Sequence, residues 1–262
     1  MWQYSLGGWD VNVPILYLGD TDLRTAAAYL AGLIQAGRWA FDYVPSDRAA
    51  NPAVFDVPRQ LYILSDYPAK LLEPSLQRMM LNQVQQGAGL LMIGGWESYH
   101  GQGGDWDATP VSQALPVEIS DRDDRVHFDQ PALLRPCTDH PILENLPWQT
   151  RPPGIGGLNR FRPRTDATVL LQAQHFSVRD ADGTFQFQPC GCDDVLVVGQ
   201  YGRGRTAALA TDVAPHWVGG LVDWGAERFT ACAPGAEAIE VGSDYARFFQ
   251  QLLAWTGRLE AL

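Results

Sequence analysis

Two short stretches hold most of the side chains that could do chemistry. In Thr211-Asp212-Val213-Ala214-Pro215-His216-Trp217 a carboxylate and an imidazole follow the apolar run 206–210. An imidazole changes charge near neutral pH, so His216 suits a general base or a ligand, with Asp212 orienting its ring or pairing with a cation. The same spacing also fits a shaped turn in which Asp212 caps backbone amides and His216 satisfies a buried carbonyl. The second stretch is Gly94-Gly95-Trp96-Glu97-Ser98-Tyr99-His100-Gly101, after the apolar run 90–93. The missing Cβ atoms at Gly94 and Gly95 let a ligand approach the backbone. If the amides of 94–97 open a helix, they could stabilise an oxyanion. Glu97 and His100 are the titratable groups of this turn, and Ser98 is a further polar contact. The competing reading is a tight turn that packs Trp96 and Tyr99 into the core.

This second stretch has the form of a nucleophile elbow without the nucleophile, since no cysteine precedes Cys137. Asp121, Asp123 and Asp124 with Arg122 and Arg125 form a third cluster, read either as a charged surface loop or as a source of ligand contacts through Asp124. A metal needs several hard oxygen or imidazole ligands to converge. Asp124, His100, Asp212 and His216 supply that set only if folding brings them together, so the metal question stays open. Cys190-Gly191-Cys192 reads as a turn with two incidental thiols, because structural zinc sites space their paired cysteines more widely and need two further ligands. Several of the nine tryptophans stand beside glycine or aspartate: Trp9, Trp96, Trp106, Trp217 and Trp224. Such residues line a pocket for a planar or sugar ligand, or anchor a core or a subunit interface.

Positioning these groups requires a scaffold, and the hydrophobic pattern describes one. Residues 14–19 form an apolar strand, and Asp20-Thr21-Asp22 can cap a helix over 23–37. Strands follow at 39–44 and 60–64, a helix at 74–86 stopped by Gly87, and a strand at 90–93. Further strands are expected at 117–119, 126–128, 167–173, 195–199 and 205–210, the last two joined by a hairpin turn at 200–204, and a closing amphipathic helix over 245–255. Strands rich in Leu, Ile and Val that alternate with helices imply a mostly parallel sheet covered on both faces. Ligands of such folds sit at the carboxyl ends of the strands, which here supply Asp20, Ser65, Asp66, Gly94, Gly95, Trp96 and Glu97 to one crevice. The stretch 101–165 is richer in loops and reads as an elaboration on that sheet.

The 262-residue chain, 46% hydrophobic, can bury the core of one domain spanning 1–262. A net charge of −11 argues against nucleic acid, whose binding needs clustered Lys and Arg. Arg160-Phe161-Arg162-Pro163-Arg164 is too short a basic patch to reverse that. No apolar window reaches the length of a membrane span, and the first residues carry no export signal, so a cytoplasmic protein is expected. No phosphate-cradling glycine fingerprint follows the first strand, so no nucleotide cofactor is implied.

The order of elements together with Gly-Leu-Leu-Met-Ile-Gly-Gly-Trp-Glu-Ser-Tyr-His-Gly (residues 89–101), Thr109-Pro110, Leu115-Pro116-Val117, Asp123-Asp124-Arg125-Val126, His140-Pro141-Ile142, Gly202-Arg203-Gly204-Arg205 and Thr211 to Trp217 resembles one family. It is similar to the glutamine amidotransferase-like cytoplasmic proteins, a branch of the class I glutamine amidotransferase-like superfamily, over nearly the whole chain. The resemblance implies a flavodoxin-like three-layer sandwich. In active superfamily members an elbow cysteine attacks the amide of glutamine while a histidine oriented by a glutamate takes the proton. His216 falls near the place of that histidine, but Gly94, Gly95 and Trp96 occupy the elbow, and the Glu97 carboxylate cannot form a thioester. Glutaminase activity is therefore not expected. The expectation is a member without a thiol that binds or transforms a small polar ligand, carbohydrate-like in one version. That ligand would sit between 94–100 and 212–217, with Glu97, Asp212 and His216 as the catalytic groups. Asp66, Gly94, Gly95, Trp96, Ser98, His100, Asp124 and Trp217 would be its ligand contacts. The alternative is an inactive scaffold whose tryptophan-rich surface builds a homo-oligomer.

Overall fold

A computed structural model describes residues 14–260. The first strands are β1 (Ile15–Gly19), β2 (Phe41–Val44), β3 (Leu61–Ser65) and β4 (Gly89–Ile93), with helices α1 (Ala27–Ala36) and α2 (Pro74–Gln86) between them. The middle of the chain adds β5 (Val117–Ile119), β6 (Arg125–Pro136), β7 (Gly154–Asn159) and β8 (Phe161–Pro163). Then come β9 (Thr168–Ala181), β10 (Thr184–Tyr201), β11 (Gly204–Leu209), β12 (Arg228–Ala231), β13 (Ile239–Gly242) and helix α3 (Ser243–Gly257). Nine strands form one mixed sheet in the order β2-β1-β3-β4-β11-β10-β9-β6-β7. Trp9 lies outside the described residues.

β1, β3 and β4 are buried along their whole length, which is why they read as continuous apolar runs rather than alternating ones. Alternate residues feed two separate clusters. Ile15, Tyr17, Ile63, Leu91 and Ile93 pack with Leu30 and Leu33 of α1 and Phe248, Phe249 and Leu252 of α3. Leu16, Leu18, Tyr62, Leu64, Leu90 and Met92 pack with Leu76, Met80 and Val84 of α2. α2 starts with Pro74 in its first turn, where the missing N–H costs nothing, and stops at Gly87, whose φ of +131° favours glycine.

Four differences from the expected layout have physical causes. The sheet is parallel only across β2-β1-β3-β4-β11; the tight β10–β11 hairpin reverses direction, and β9, β6 and β7 continue antiparallel. Residues 101–165 therefore do more than decorate the sheet, because β6 and β7 extend it. α1 starts at Ala27 rather than 23, since Asp22 caps no helix and instead accepts bonds from the Arg24 amide (2.9 Å) and guanidinium (2.6 Å). Cys190-Gly191-Cys192 lies within β10, not in a turn: Gly191 faces His175 and Cys192 faces Gln174 across the ladder.

Candidate functional site

The parallel strands β1, β3, β4 and β11 are neighbours, so the residues after their carboxyl ends share one edge of the sheet. They are Asp20, Asp66, Gly94-Gly95 and Asp212. Asp20 has a φ of +45° and Asp66 a φ of +48°, a left-handed conformation that aspartate tolerates better than most residues. A Cβ on Gly19 would lie 1.7 Å from the Ser65 carbonyl oxygen, so only glycine lets β1 turn here, and the Asp20 amide then donates to that same oxygen at 2.9 Å. The Asp20 carboxylate accepts bonds from the Tyr17 and Ser65 hydroxyls. Burial, and then the negative charge of Asp212, push its pKa up to about 7 against the pull of those hydroxyls.

Asp66 is held from the glycine turn. Its Oδ1 accepts the Glu97 amide at 2.7 Å, and its own amide donates to Ser98 Oγ at 2.9 Å. Ser98 Oγ in turn donates to the Ile93 carbonyl at 2.6 Å. A Cβ on Gly95 would meet Asp66 Oδ1 at 2.1 Å, so the glycine serves the approach of this carboxylate. Burial first, then Asp212 and Asp20, raise the Asp66 pKa well above the usual carboxylate range.

Asp212 is buried, and its two oxygens divide the roles that the sequence left as alternatives. One accepts the Ala214 amide at 2.9 Å and caps the turn, while the other bonds His216 Nδ1 at 3.1 Å and orients the ring. The His216 side chain is 59% exposed, and Nε2 has no hydrogen-bond partner among the described residues. The bond to Asp212 raises the pKa of His216 against partial burial, and the Asp66 and Asp20 charges add to the rise. His216 lines a cleft of about 320 Å³ with Tyr29, Pro215 and Glu237. The arrangement can hold a proton on an exposed imidazole oriented by a buried carboxylate, at the strand edge that also carries Asp20 and Asp66.

Other expected site residues are placed differently. Glu97 contributes its amide to Asp66; its half-buried carboxyl has a pKa raised by burial, and the charges acting on His216 are those of Asp212, Asp66 and Asp20. His100 Nδ1 lies 2.9 Å from Asp107. Asp124 brackets the turn by accepting the amides of His100 (3.0 Å) and Gly101 (3.1 Å) and the Asn159 side-chain amide (2.8 Å). These bonds engage His100 Nδ1 and both Asp124 oxygens, and among the described residues no three His, Cys, Asp or Glu side chains converge as a metal site. Trp217 is buried with its Nε1 donating to His127 Nδ1 at 3.1 Å, whereas Trp96 is half-exposed under the Arg125 guanidinium, 4.8 Å from its ring centre.

The turn after β4 opens no helix, and three of its amides are spent inside the protein. Gly94 donates to the Leu209 carbonyl at 2.7 Å, Gly95 to Asn159 Oδ1 at 2.9 Å and Glu97 to Asp66. Three of the four expected oxyanion-binding amides, those of Gly94, Gly95 and Glu97, are therefore already bonded. Asn159 and His127 had no sequence signal, because each acts through a partner brought close only by the sheet. All four cysteines are exposed, and none lines the His216 cleft. Trp106, Trp148, Trp217 and Trp224 are buried, so they form no surface; the exposed aromatic residues include Phe185 and Phe187.

Residues 17–230 match a family model described as "Putative glutamine amidotransferase". No curated protein matches the chain's sequence. Among solved structures, a cytoplasmic protein of Salmonella typhimurium superposes with a TM-score of 0.69 at 20% identity, covering 93% of this chain and 99% of its own. A second cytoplasmic protein, from Salmonella typhimurium LT2, gives 0.70 at 20% identity over 92% and 98%. A "putative thua-like protein" from Parabacteroides merdae gives 0.58 at 15% identity over 95% and 91%. At these identities the likeness concerns the fold.

Proposed function

The chain belongs to the GATase1-like family, described as "Putative glutamine amidotransferase", and from that premise we propose a member that works without a thiol on a small polar ligand. The observation that carries the reading is the Asp212–His216 pair: a buried carboxylate bonded at 3.1 Å to an exposed imidazole, at the strand edge that also holds Asp20 and Asp66. In this reading His216 Nε2 exchanges a proton with the ligand, and Asp212 holds the ring's tautomer and favours its charged form. Asp20 and Asp66, whose raised pKa values keep their protons toward neutral pH, exchange hydrogen bonds with ligand hydroxyls, Glu97 stands at the rim, and Trp96 offers a flat apolar face. A carbohydrate-type ligand fits this combination of carboxyl groups and an aromatic platform. Hydrolysis or isomerisation are the reactions within reach of such an acid–base pair.

Amidotransfer from glutamine needs a thiolate that attacks the amide carbon and donors that receive the resulting oxyanion. Gly94-Gly95-Trp96 supplies no nucleophile, and three of the turn's amides already have partners. The same proposal treats the chain as one flavodoxin-like three-layer domain in the cytoplasm, supported by the apolar clusters on alternate strand residues and by the description of the two Salmonella proteins. No helix among the described residues is long and apolar enough to cross a membrane.

The test is calorimetric and thermal-shift binding of monosaccharides, amino sugars and sugar acids to the wild type, Asp212→Asn and His216→Gln, with glutamine hydrolysis assayed in parallel. Saturable binding that both substitutions weaken is expected, with no glutamine turnover. Glutamine hydrolysis that disappears on Cys137→Ser or Cys190→Ser would overturn the reading.

A further inference from the structure

Beyond Gln174 the β9 strand has no backbone ladder partner on its β6 side among the described residues, because the β6–β9 register ends at Leu133↔Gln174, although the Phe128 ring of β6 still packs on His175. On its β11 side the β10 strand pairs from Leu196↔Leu209, and the last backbone bond there runs from the Ala210 amide to the Val195 carbonyl at 2.7 Å, so before Val195 no ladder partner follows among the described residues. Residues 175–193 thus leave the sheet as a two-stranded ribbon with both edges open among the described residues. A lone two-stranded hairpin is at best marginally stable in water, and open edges invite pairing with other chains.

The ribbon is two-faced. Val178 faces Phe187 and Phe176 faces Pro189 in the ladder, so these four side chains share one face, with Phe185 beside Asp180 toward the tip. Ser177, Arg179, Gln186 and Gln188 occupy the other. On the apolar face Phe185 is 67% exposed and Phe187 65% exposed, although phenylalanine is ordinarily a core residue. They line a groove of about 680 Å³ whose floor comes from Pro131, Leu133 and Arg135 of β6. Its one charge is the Arg135 guanidinium, which has no ion pair among the described residues. The ribbon tip carries Asp180 on the apolar face, directly across from Phe185, and Asp182 in the turn.

We propose that this face is the dimer interface of the protein, with the ribbon of each copy laid into the Pro131–Leu133–Arg135 groove of the other. The surface is self-complementary, as a two-fold interface requires: each copy offers the aromatic ribbon face with Asp180 near its tip and, beside it, the Pro131–Leu133 floor with the Arg135 cation. Seating Phe185 in the partner groove brings the adjacent Asp180 to the partner's Arg135. The four phenylalanines of a pair would bury on the order of 500 Å², a substantial share of the roughly 1,600 Å² of a standard interface, before the ribbon backbone is counted. A different protein seated on the groove would explain the apolar face but not the match between the ribbon's own tip and the groove's own charge. The proposal is independent of the ligand reading, since the groove shares no residue with the His216 cleft.

Sedimentation equilibrium of the full chain tests it. The wild type is expected at twice the chain mass at micromolar concentration, and Phe185→Asp with Phe187→Asp at the single mass, a weakening on the order of 30-fold or more. Because two new charges can harm folding, a second set is measured beside it. Arg135→Asp and Asp180→Arg should each weaken the dimer on the order of tenfold, and together restore it. A wild type at single-chain mass throughout, or a double-Asp variant that folds and still dimerises, would overturn the proposal. So would additive charge substitutions with no restoration.

Discussion

Replacing Asp20 by asparagine should stabilise the protein, by an amount that depends on pH in a direction opposite to the usual aspartate. An aspartate that gains an ion pair on folding has a lowered pKa and loses stability in acid. Asp20 goes the other way: its folded pKa is raised from 3.8 to about 7, so the native state holds the proton more tightly than the unfolded chain. The resulting cost is absent below the unfolded pKa, grows as pH rises between the two values, and is complete above the folded one. With that shift, the cost is about 4 kcal/mol at pH 8, about 2 at pH 5 and under about 1 at pH 4. Asparagine keeps an oxygen for the Tyr17 and Ser65 hydroxyls, removes the charge and tolerates the φ of +45°. Urea unfolding of the wild type and Asp20→Asn from pH 4 to 8 should therefore give curves that nearly meet in acid and diverge at pH 8, with the variant the more stable. A variant that is less stable at every pH, or a difference that does not change with pH, would refute the placement of a proton-retaining carboxyl behind Asp212.

Gly95→Ala sets a Cβ 2.1 Å from Asp66 Oδ1, so the bond to the Glu97 amide must break; a loss of about 1–3 kcal/mol in urea unfolding, with faster exchange of the Glu97 amide hydrogen, is expected. Asn159→Ala leaves the buried Gly95 amide unpaired and removes a bond to Asp124, costing about 1–3 kcal/mol and making the 94–104 turn easier to cleave by protease. The His216 ring should titrate above an ordinary histidine by NMR, and Asp212→Asn should lower that value. Because the folded pKa is raised, the pair stabilises fully below the unfolded pKa and loses its contribution as pH rises through the folded value. His216 is largely exposed, so the stability change is small and the chemical shift is the better readout.

The sequence was most informative where burial is complete. β1, β3 and β4 are apolar runs ended by glycine or serine, and α2 is bounded by Pro74 and Gly87, so both their extent and the polar groups at their ends could be read directly. β7, β8, β12 and β13 are short or Gly- and Arg-containing pieces whose strand character comes from their partners. The ribbon shows alternation at Phe176 and Val178 and again at Phe185 and Phe187, but alternation does not reveal that no third strand covers it. Asp212 and His216 were recognisable because four residues on one turn must lie close together. At Glu97 and Asp124 residue type does not disclose which atom is used: Glu97 bonds Asp66 through its amide, and Asp124 spends its oxygens on the turn and Asn159. The Asp124–Asn159–Gly95 chain joins three segments far apart in sequence, and only strand pairing creates it.

The account rests on the strand-edge carboxylates and His216 forming a ligand site, and the most direct measurement is a crystal structure of the protein soaked with small sugars and sugar acids. Ligand density is expected beside the 94–97 turn, bonded to His216 Nε2 and to at least one of Asp20, Asp66 and Asp212. Saturating soaks that leave this edge free of ligand, with sugar bound elsewhere or nowhere and His216 packed against its own backbone, would contradict it.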